Sequence, residues 1–126
     1  MRPTDEALVS AARQAKEKAY APYSHFSVGA AVDGDDGKVY TGCNVENGSY
    51  GLTSCAERNA VFAAVAAGCR KIYRVAVVAD EDYTLPCGAC RQVLAEFSAE
   101  RIILTAKDGR YRVVKATELF PQPFSL

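Results

Sequence analysis

The sequence predicts an α/β fold in one domain, residues 1–126, built as a mixed five-stranded sheet with helices on its faces. Segments 74–79 and 101–106 are near-continuous apolar runs, which is typical of strands covered on both faces. A helical pattern lies between them, and this strand–helix–strand order implies a parallel portion in the sheet. A hydrophobic content of 49% over 126 residues is enough for one packed core.

The first element is an amphipathic helix predicted over residues 4–20. Alanine and leucine recur there at helical spacing against lysine and arginine, and Thr4 or Asp5 can serve as the N-cap. The helix must end before Pro22, which cannot continue it.

A hairpin follows, with strands predicted at 26–32 and 38–44. The Asp and Gly residues at 33–37 between them are strong turn formers. Both strands contain internal glycines, and this suggests that a neighbouring element packs closely against each.

The second helix is predicted over 55–67. It is apolar almost all round, which indicates burial, and Gly68 stands where a C-cap glycine belongs. A third helix covers 87–98 and is opened by Pro86, and a last strand covers 111–114. The predicted order is therefore α-β-β-α-β-α-β-β.

Charge and composition favour a small-molecule substrate. Lys plus Arg and Asp plus Glu are equal at 15 each, and no run of like charge suggests a groove for nucleic acid. The N-terminus lacks the apolar core of a signal peptide, and no apolar stretch is long enough to span a bilayer. We therefore expect a cytoplasmic protein without nucleic-acid or membrane partners, whose cysteines stay reduced.

Three cysteines and one glutamate carry the chemical signal. Cys87 and Cys90 are three residues apart at the opening of a helix, so their thiols share one face and the helix N-terminus favours thiolates. Cys55 can supply a third sulfur if consecutive βα units place the two helix starts side by side. Three protein ligands leave the fourth corner of a tetrahedral zinc to water, as in catalytic sites. Glu57 could reach that water without binding the metal.

Other interpretations of the cysteines are a structural zinc site and a redox pair. A structural site needs a fourth ligand, but Cys43 and Cys69 have no partner at metal-binding spacing and His25 is the only histidine. A redox pair leaves Cys55 and Glu57 without a role. We expect Cys43 and Cys69 to be small buried residues.

Two arginines follow these residues directly. Three thiolates give the zinc complex a net negative charge and weaken its ability to activate water near neutral pH. A cation that withdraws charge from the sulfurs would restore that ability. Arg58 and Arg91, next to Glu57 and Cys90, are candidates.

Four ordered motifs and a closing segment extend over nearly the whole chain. They are Tyr-Ala-Pro-Tyr-Ser-His-Phe-Ser-Val-Gly-Ala-Ala at 20–31, Asn-Val-Glu-Asn at 44–47, Thr-Ser-Cys-Ala-Glu-Arg-Asn-Ala at 53–60, Pro-Cys-Gly-Ala-Cys-Arg-Gln at 86–92 and Leu-Phe-Pro at 119–121 with Phe124. On these motifs the chain resembles the small, homotetrameric, zinc-dependent cytidine deaminases, whose metal pattern in general form is His or Cys, then x-Glu, then Pro-Cys-x-x-Cys.

The resemblance implies a function and a cofactor. Zn²⁺, one per subunit, held by Cys55, Cys87 and Cys90, would activate water for attack at C4 of the cytosine ring. Glu57 would carry the water's proton to N3 and then to the departing amine, with Arg58 as a further catalytic residue. Cytidine and 2′-deoxycytidine would become uridine nucleosides and ammonia, in pyrimidine salvage.

The resemblance also implies the substrate contacts. Asn44 and Glu46 match the pair that binds the ribose 3′-hydroxyl, and Phe26 matches an aromatic residue that packs on the pyrimidine. Phe124 and Tyr50 match residues contributed across a subunit interface, so the active sites of a homotetramer would be shared.

Three rival functions stay open. A blasticidin-type deaminase uses the same metal chemistry on a nucleoside with a modified sugar, although Asn44, Glu46 and Phe124 favour a plain sugar. A polynucleotide-editing deaminase is disfavoured by the charge balance and by the lack of an insert for strand binding. A zinc-stabilised binding module without catalysis would have no exchangeable water and no need for Glu57.

Overall fold

A computed structural model describes residues 2–126 and contains one five-stranded mixed sheet with the strand order β2-β1-β3-β4-β5. The predicted fold class and the predicted order of the main elements are confirmed. The elements are α1 (Asp5–Lys16), β1 (Val28–Gly34), β2 (Val39–Cys43), a 3₁₀ turn (Tyr50–Leu52), α2 (Ala56–Ala66), β3 (Ile72–Ala79), α3 (Gly88–Glu96), β4 (Arg101–Thr105), β5 (Tyr111–Lys115) and the short α4 (Ala116–Leu119).

Helix α1 begins as predicted and ends earlier. The Oγ1 atom of Thr4 accepts a hydrogen bond from the Ala7 amide at 3.1 Å and caps the helix. The helix stops at Lys16 rather than at residue 20, because Tyr20 instead forms a parallel bridge with Val45. This bridge leads the chain into the loop that precedes β1.

The sheet joins an antiparallel hairpin to a parallel pair of strands. Strand β1 runs antiparallel to both β2 and β3, β3 runs parallel to β4, and β5 returns antiparallel to β4. The parallel pair is the one joined through α3, as strand–helix–strand connections require. The carboxyl end of β3 therefore leads directly into the start of α3.

Both faces of the central strands are buried. On one face, Ala76, Val78 and Ile103 pack with Leu8 and Ala12 of α1. On the other face, strand residues pack with residues of α2 and α3, and this larger cluster includes Val32, Val75, Val77, Ile102, Leu104, Val61 and Leu94. The expectation that the apolar strands are covered on both sides is confirmed.

Two strand glycines permit close helix packing, as expected. A Cβ added to Gly29 would lie 2.0 Å from the Ala12 carbonyl oxygen of α1. A Cβ added to Gly42 would lie 2.5 Å from the Ala56 oxygen and from the Ala60 nitrogen of α2. Only glycine lets these backbones approach so closely, and Gly42 thereby fixes the height of α2 over the sheet.

No helix in residues 2–126 is both long enough and apolar enough to cross a membrane.

Candidate metal centre

Two neighbouring helix starts bring the three predicted cysteines together. Cys55 is the N-cap of α2 and Cys87 is the N-cap of α3, both with extended backbone, while Cys90 lies in the first turn of α3. The Cys55 and Cys87 sulfurs are 3.8 Å apart, and the Cys87 and Cys90 sulfurs are 3.4 Å apart. All three sulfurs lie within 4.8 Å of one another.

The sulfur positions fit a zinc ion. A tetrahedral zinc with Zn–S bonds of about 2.3 Å holds its sulfurs roughly 3.8 Å apart. Within residues 2–126 these cysteines are the only group of three or more His, Cys, Asp or Glu side chains placed to share a metal ion. No fourth protein ligand therefore closes the site, which favours a catalytic over a structural zinc.

Arg58 lies against the sulfurs, where a charge-balancing cation was predicted. Its Nη2 atom donates a hydrogen bond to the Cys55 sulfur at 3.1 Å. Hydrogen bonds from the Cys90 thiol and from Arg58 lower the pKa of Cys55 to about 5, while the bond to Cys55 raises the pKa of Cys90. The same bond to Cys55 raises the pKa of Arg58, so its charge is permanent.

Arg91, the other candidate for charge balance, makes its hydrogen bonds to backbone carbonyls and not to the sulfurs. Its Nε atom donates to the Pro86 carbonyl at 2.8 Å, and its Nη1 atom donates to the Leu119 carbonyl at 2.9 Å. The guanidinium is therefore used to hold the loop before Cys87 and the C-terminal segment, because its planar fork can reach two carbonyls at once.

Glu57 lies beside the cysteines with its carboxyl group out of bulk water. The residue is 5% exposed, and burial raises the pKa of its carboxyl to about 7. A carboxyl group with such a pKa can both accept and release a proton near neutral pH. Its position in the first turn of α2, two residues after Cys55, is the one the spacing predicted.

A cavity of about 210 Å³ opens over the cysteines and Glu57. Five of the predicted site residues line it. Its wall also includes three polar or large side chains that were not predicted as site residues: Thr53, Thr84 and Leu85. The predicted residues in its lining are Phe26, Asn44, Cys55, Glu57 and Cys87. Aromatic, amide and carboxyl groups thus converge on one space beside the metal ligands.

The Asn44 side chain lines this cavity and also shapes it. Its Oδ1 atom accepts from the Val28 amide at 2.9 Å, and its Nδ2 atom donates to the Phe26 carbonyl at 2.8 Å. An amide has a further lone pair and a further N–H beyond these two bonds. Asn44 therefore fixes the segment from Phe26 to the start of β1 at Val28, and its side-chain amide can still bond a ligand in the cavity.

Glu46 and Tyr50 lie in a second cavity, of about 350 Å³, that shares Thr53 with the first. The Glu46 carboxylate accepts from the amides of Tyr23 and Ser24 at 3.0 and 3.1 Å and from the Ser24 hydroxyl. Hydrogen bonds from Ser24 lower the pKa of Glu46, which keeps it charged.

The Phe124 side chain lies away from both cavities of its own chain. It is 72% exposed, and Tyr50 is 74% exposed. Both aromatic rings therefore present apolar surface to solvent in the single chain.

Three residues that follow β3 were missed from sequence, in addition to Thr53 in the cavity wall. Thr84 and Leu85 line the cavity from the loop after β3, where strand carboxyl ends usually place binding residues. Asp80, at the same strand end, accepts from the Ser27 amide at 2.8 Å and pairs with Lys16 at 2.7 Å. The position of these residues after a buried strand was the available signal.

Comparison with known proteins gives a consistent result. Residues 2–106 match a family model described as the cytidine and deoxycytidylate deaminase zinc-binding region. A cytidine deaminase of Sporosarcina psychrophila is 47% identical over 123 residues, which cover 95% of this chain and 90% of that protein. A probable cytidine deaminase of Dictyostelium discoideum is 40% identical, over 95% of this chain and 83% of that protein.

Solved structures agree with these relatives. The crystal structure of cytidine deaminase from Burkholderia pseudomallei superimposes with a TM-score of 0.89 at 51% identity, covering 97% of this chain and all of that one. The crystal structure of cytidine deaminase from Mycobacterium tuberculosis gives a TM-score of 0.83 at 41% identity, covering 98% and 100%.

Proposed function

The chain belongs to the cytidine and deoxycytidylate deaminase family, and on that premise we propose that it hydrolyses cytidine and 2′-deoxycytidine to the uracil nucleosides and ammonia. The observation that carries the proposal is the placement of three cysteine sulfurs within 4.8 Å of one another beside a buried glutamate. A binding module would not need a buried carboxyl group in the same cavity as its metal ligands.

Cys55, Cys87 and Cys90 would hold the zinc cofactor. When bound there, zinc would supply the Lewis-acid chemistry that activates water near neutral pH. Arg58 offsets the negative charge of the sulfurs through its bond to Cys55. The helix starts at Cys55 and Cys87 add partial positive charge on the same side.

Glu57 moves the protons of the reaction. Its carboxylate takes a proton from the attacking water and delivers it to N3 of the cytosine ring, which makes C4 more electrophilic. It then takes the proton of the new C4 hydroxyl group and delivers it to the amino group, which leaves as ammonia as the C4–N bond breaks and the C4 carbonyl forms. Burial suits Glu57 to this role because the raised pKa lets one carboxyl group both accept and donate.

The cavity linings favour a neutral nucleoside over a nucleotide. Among the described residues that line the two cavities, the charged ones are Glu46 and Glu57, and no lysine or arginine is present. A 5′-phosphate there would meet negative charge without a cation to compensate it. We assign Phe26 to the pyrimidine, and Asn44 with Glu46 to the 3′-hydroxyl of the sugar.

We further propose a homotetramer with shared sites, in which Phe124 and Tyr50 complete the pocket of a neighbouring copy. Their exposed rings in the single chain support this. Tyr20, Tyr23, Val45 and Leu52 are further exposed apolar side chains in the same part of the sequence as Tyr50. Loss of activity on dilution to monomers would support sharing, and a fully active monomer would contradict it.

The cytoplasm is the proposed location and pyrimidine salvage the proposed role. A site built from three free thiols needs a reducing compartment, because an oxidised pair could not bind the metal.

The proposal is tested by following the loss of cytidine absorbance in the wild type, in Glu57→Gln and in the control Glu17→Gln on the exposed end of α1. We expect Glu57→Gln to keep its zinc and fold and to lose at least about 10²-fold in kcat, because general acid–base catalysis contributes that much or more. Near-normal turnover by Glu57→Gln would rule out the proton-carrying role. Cytidine, deoxycytidine, their monophosphates and blasticidin are compared as substrates, and a preference for a monophosphate or for blasticidin would contradict the nucleoside assignment.

A further inference from the structure

The C-terminal segment 119–126 is held to the domain by few contacts. All of residues 121–126 are exposed. Behind the segment lies a mostly apolar cavity of about 280 Å³, between α3 and the chain near Phe120 and Pro123. Because the segment spans this space rather than filling it, apolar packing alone does not fix the position of its end.

One side chain of α3 clamps the backbone near that end. The Gln92 Nε2 atom donates to the Phe124 carbonyl at 2.9 Å, and the Gln92 Oε1 atom accepts from the Phe124 amide at 3.1 Å. A side-chain amide that pairs with both main-chain groups of one residue acts like a strand partner. The backbone of Phe124 is therefore fixed while its ring stays 72% exposed.

The preceding residue supplies a second anchor. Arg91 donates to the Leu119 carbonyl at 2.9 Å and to the Pro86 carbonyl at 2.8 Å. Three consecutive residues of α3 thus have linked tasks: Cys90 faces the metal cluster, and Arg91 and Gln92 hold the C-terminal segment. Helix α3, which carries Cys90, is thereby hydrogen-bonded to the C-terminal segment.

We propose that Gln92 is a positioning residue, which sets the place at which Phe124 is presented to the substrate pocket of a neighbouring subunit. The inference rests on the proposed function for the assignment of Phe124 to that pocket. An aromatic ring held in place before docking loses less conformational entropy when it docks, so the clamp strengthens substrate binding without touching substrate. Gln92 should accordingly affect KM and leave the chemical step unchanged.

The test compares Gln92→Ala and Gln92→Met with Phe124→Ala, with the double variant Gln92→Ala/Phe124→Ala and with Gln122→Ala as the matched control. Gln122 lies in the same segment and makes no side-chain hydrogen bond within the described chain. Methionine keeps the length of glutamine and removes both bonds, so it guards against a folding defect of the alanine variant. The readouts are KM and kcat for cytidine, zinc content, and hydrogen–deuterium exchange of the Phe124 amide.

We expect both Gln92 variants to raise KM about three- to tenfold with kcat nearly unchanged, the size expected from the loss of one or two neutral hydrogen bonds. Hydrogen exchange of the Phe124 amide should be faster, and the zinc content should stay normal. The double variant should have the same KM as Phe124→Ala, because Gln92 acts through Phe124. Gln122→Ala should match the wild type.

Three results would overturn the inference. If the Gln92 variants keep a normal KM and slow exchange of the Phe124 amide while Phe124→Ala raises KM, Gln92 does not position Phe124. The proposed function would still hold. If Phe124→Ala itself keeps a normal KM, the assignment of Phe124 fails and takes the inference with it. If the Gln92 variants instead lose bound zinc or have a lower kcat, Gln92 acts by supporting Cys90 in α3 and not by positioning the C-terminal segment.

Discussion

Substitution of Gly42 by alanine should damage both the fold and the metal centre, because Gly42 sets the distance between β2 and α2. The added Cβ would lie 2.5 Å from the Ala56 oxygen and the Ala60 nitrogen and 2.9 Å from the Asn59 carbonyl carbon. These are backbone atoms of a helix, so no side chain can rotate away to make room.

The size of the effect follows from the overlap. Ordinary contact begins near 3.4 Å, so α2 must retreat from the sheet by roughly 0.9 Å. Overpacking of a core usually costs about 1–3 kcal/mol, and in a domain of this length that lowers Tm by roughly 3–15 °C. Ala56 lies between Cys55 and Glu57, so the retreat also moves a metal ligand and the proton carrier. A displacement of this size can cost up to about 10²-fold in rate.

Thermal unfolding and steady-state kinetics measure the two effects. Gly51→Ala is the control for Tm, because a Cβ there meets no atom within 4 Å. We expect Gly51→Ala to unfold within about 2 °C of the wild type, as open surface sites do. A Gly42→Ala variant with the same Tm as this control, and with unchanged kcat/KM, would refute the account of how α2 is placed.

Two further substitutions and one treatment extend the tests. Arg58→Met should lower kcat/KM about 10- to 100-fold, because it removes a charged hydrogen bond to Cys55. The control Arg110→Met, on the surface, should leave kcat/KM unchanged. Equal activity of the two variants would contradict the charge-balancing role of Arg58. Asp80→Asn tests the Asp80 carboxylate, whose pKa is lowered by Lys16 and by the Ser27 amide. The carboxylate stabilises the fold above its unfolded pKa of about 3.9, and this contribution is lost as pH falls through the folded pKa. The variant should therefore be less stable at pH 7, by less than ~1 kcal/mol for so exposed a pair, and the difference should disappear in acid once the carboxylate is protonated in the folded protein. A deficit that persists in acid would show that the ion pair is not its cause. Incubation with a strong chelator should abolish activity and zinc should restore it, and full activity after verified metal removal would contradict the zinc requirement.

The main elements were predictable because their patterns are strong and local. The buried strands β3 and β4 are almost wholly apolar, and the turn residues between β1 and β2 leave little choice of structure. The end of α1 was predicted wrongly because helical spacing continues past Lys16, whereas the bridge between Tyr20 and Val45 is a long-range contact that periodicity does not encode. The 3₁₀ turn and α4 are too short to leave a periodic signal.

The metal cluster was predictable for a different reason: ligand chemistry needs particular residues at particular spacing. Cys55, Cys87, Cys90 and Glu57 lie where the spacing places them. For Arg91 the sequence left open whether the residue acts on the sulfurs, because adjacency in sequence says nothing about the direction of a side chain. Its guanidinium donates hydrogen bonds to the carbonyls of Pro86 and Leu119. The roles of Phe124 and Tyr50 stay predictions, since a single chain shows only that their rings are exposed.

Zinc content tests the central claim most directly: three sulfurs hold one catalytic ion beside Glu57. Elemental analysis of protein purified without chelators should find about one zinc per chain in the wild type and in Glu57→Gln, and a large loss of zinc in Cys90→Ser, because three protein ligands define a catalytic site. A wild-type protein that deaminates cytidine without stoichiometric metal, or a Glu57→Gln variant that loses its zinc, would contradict the account.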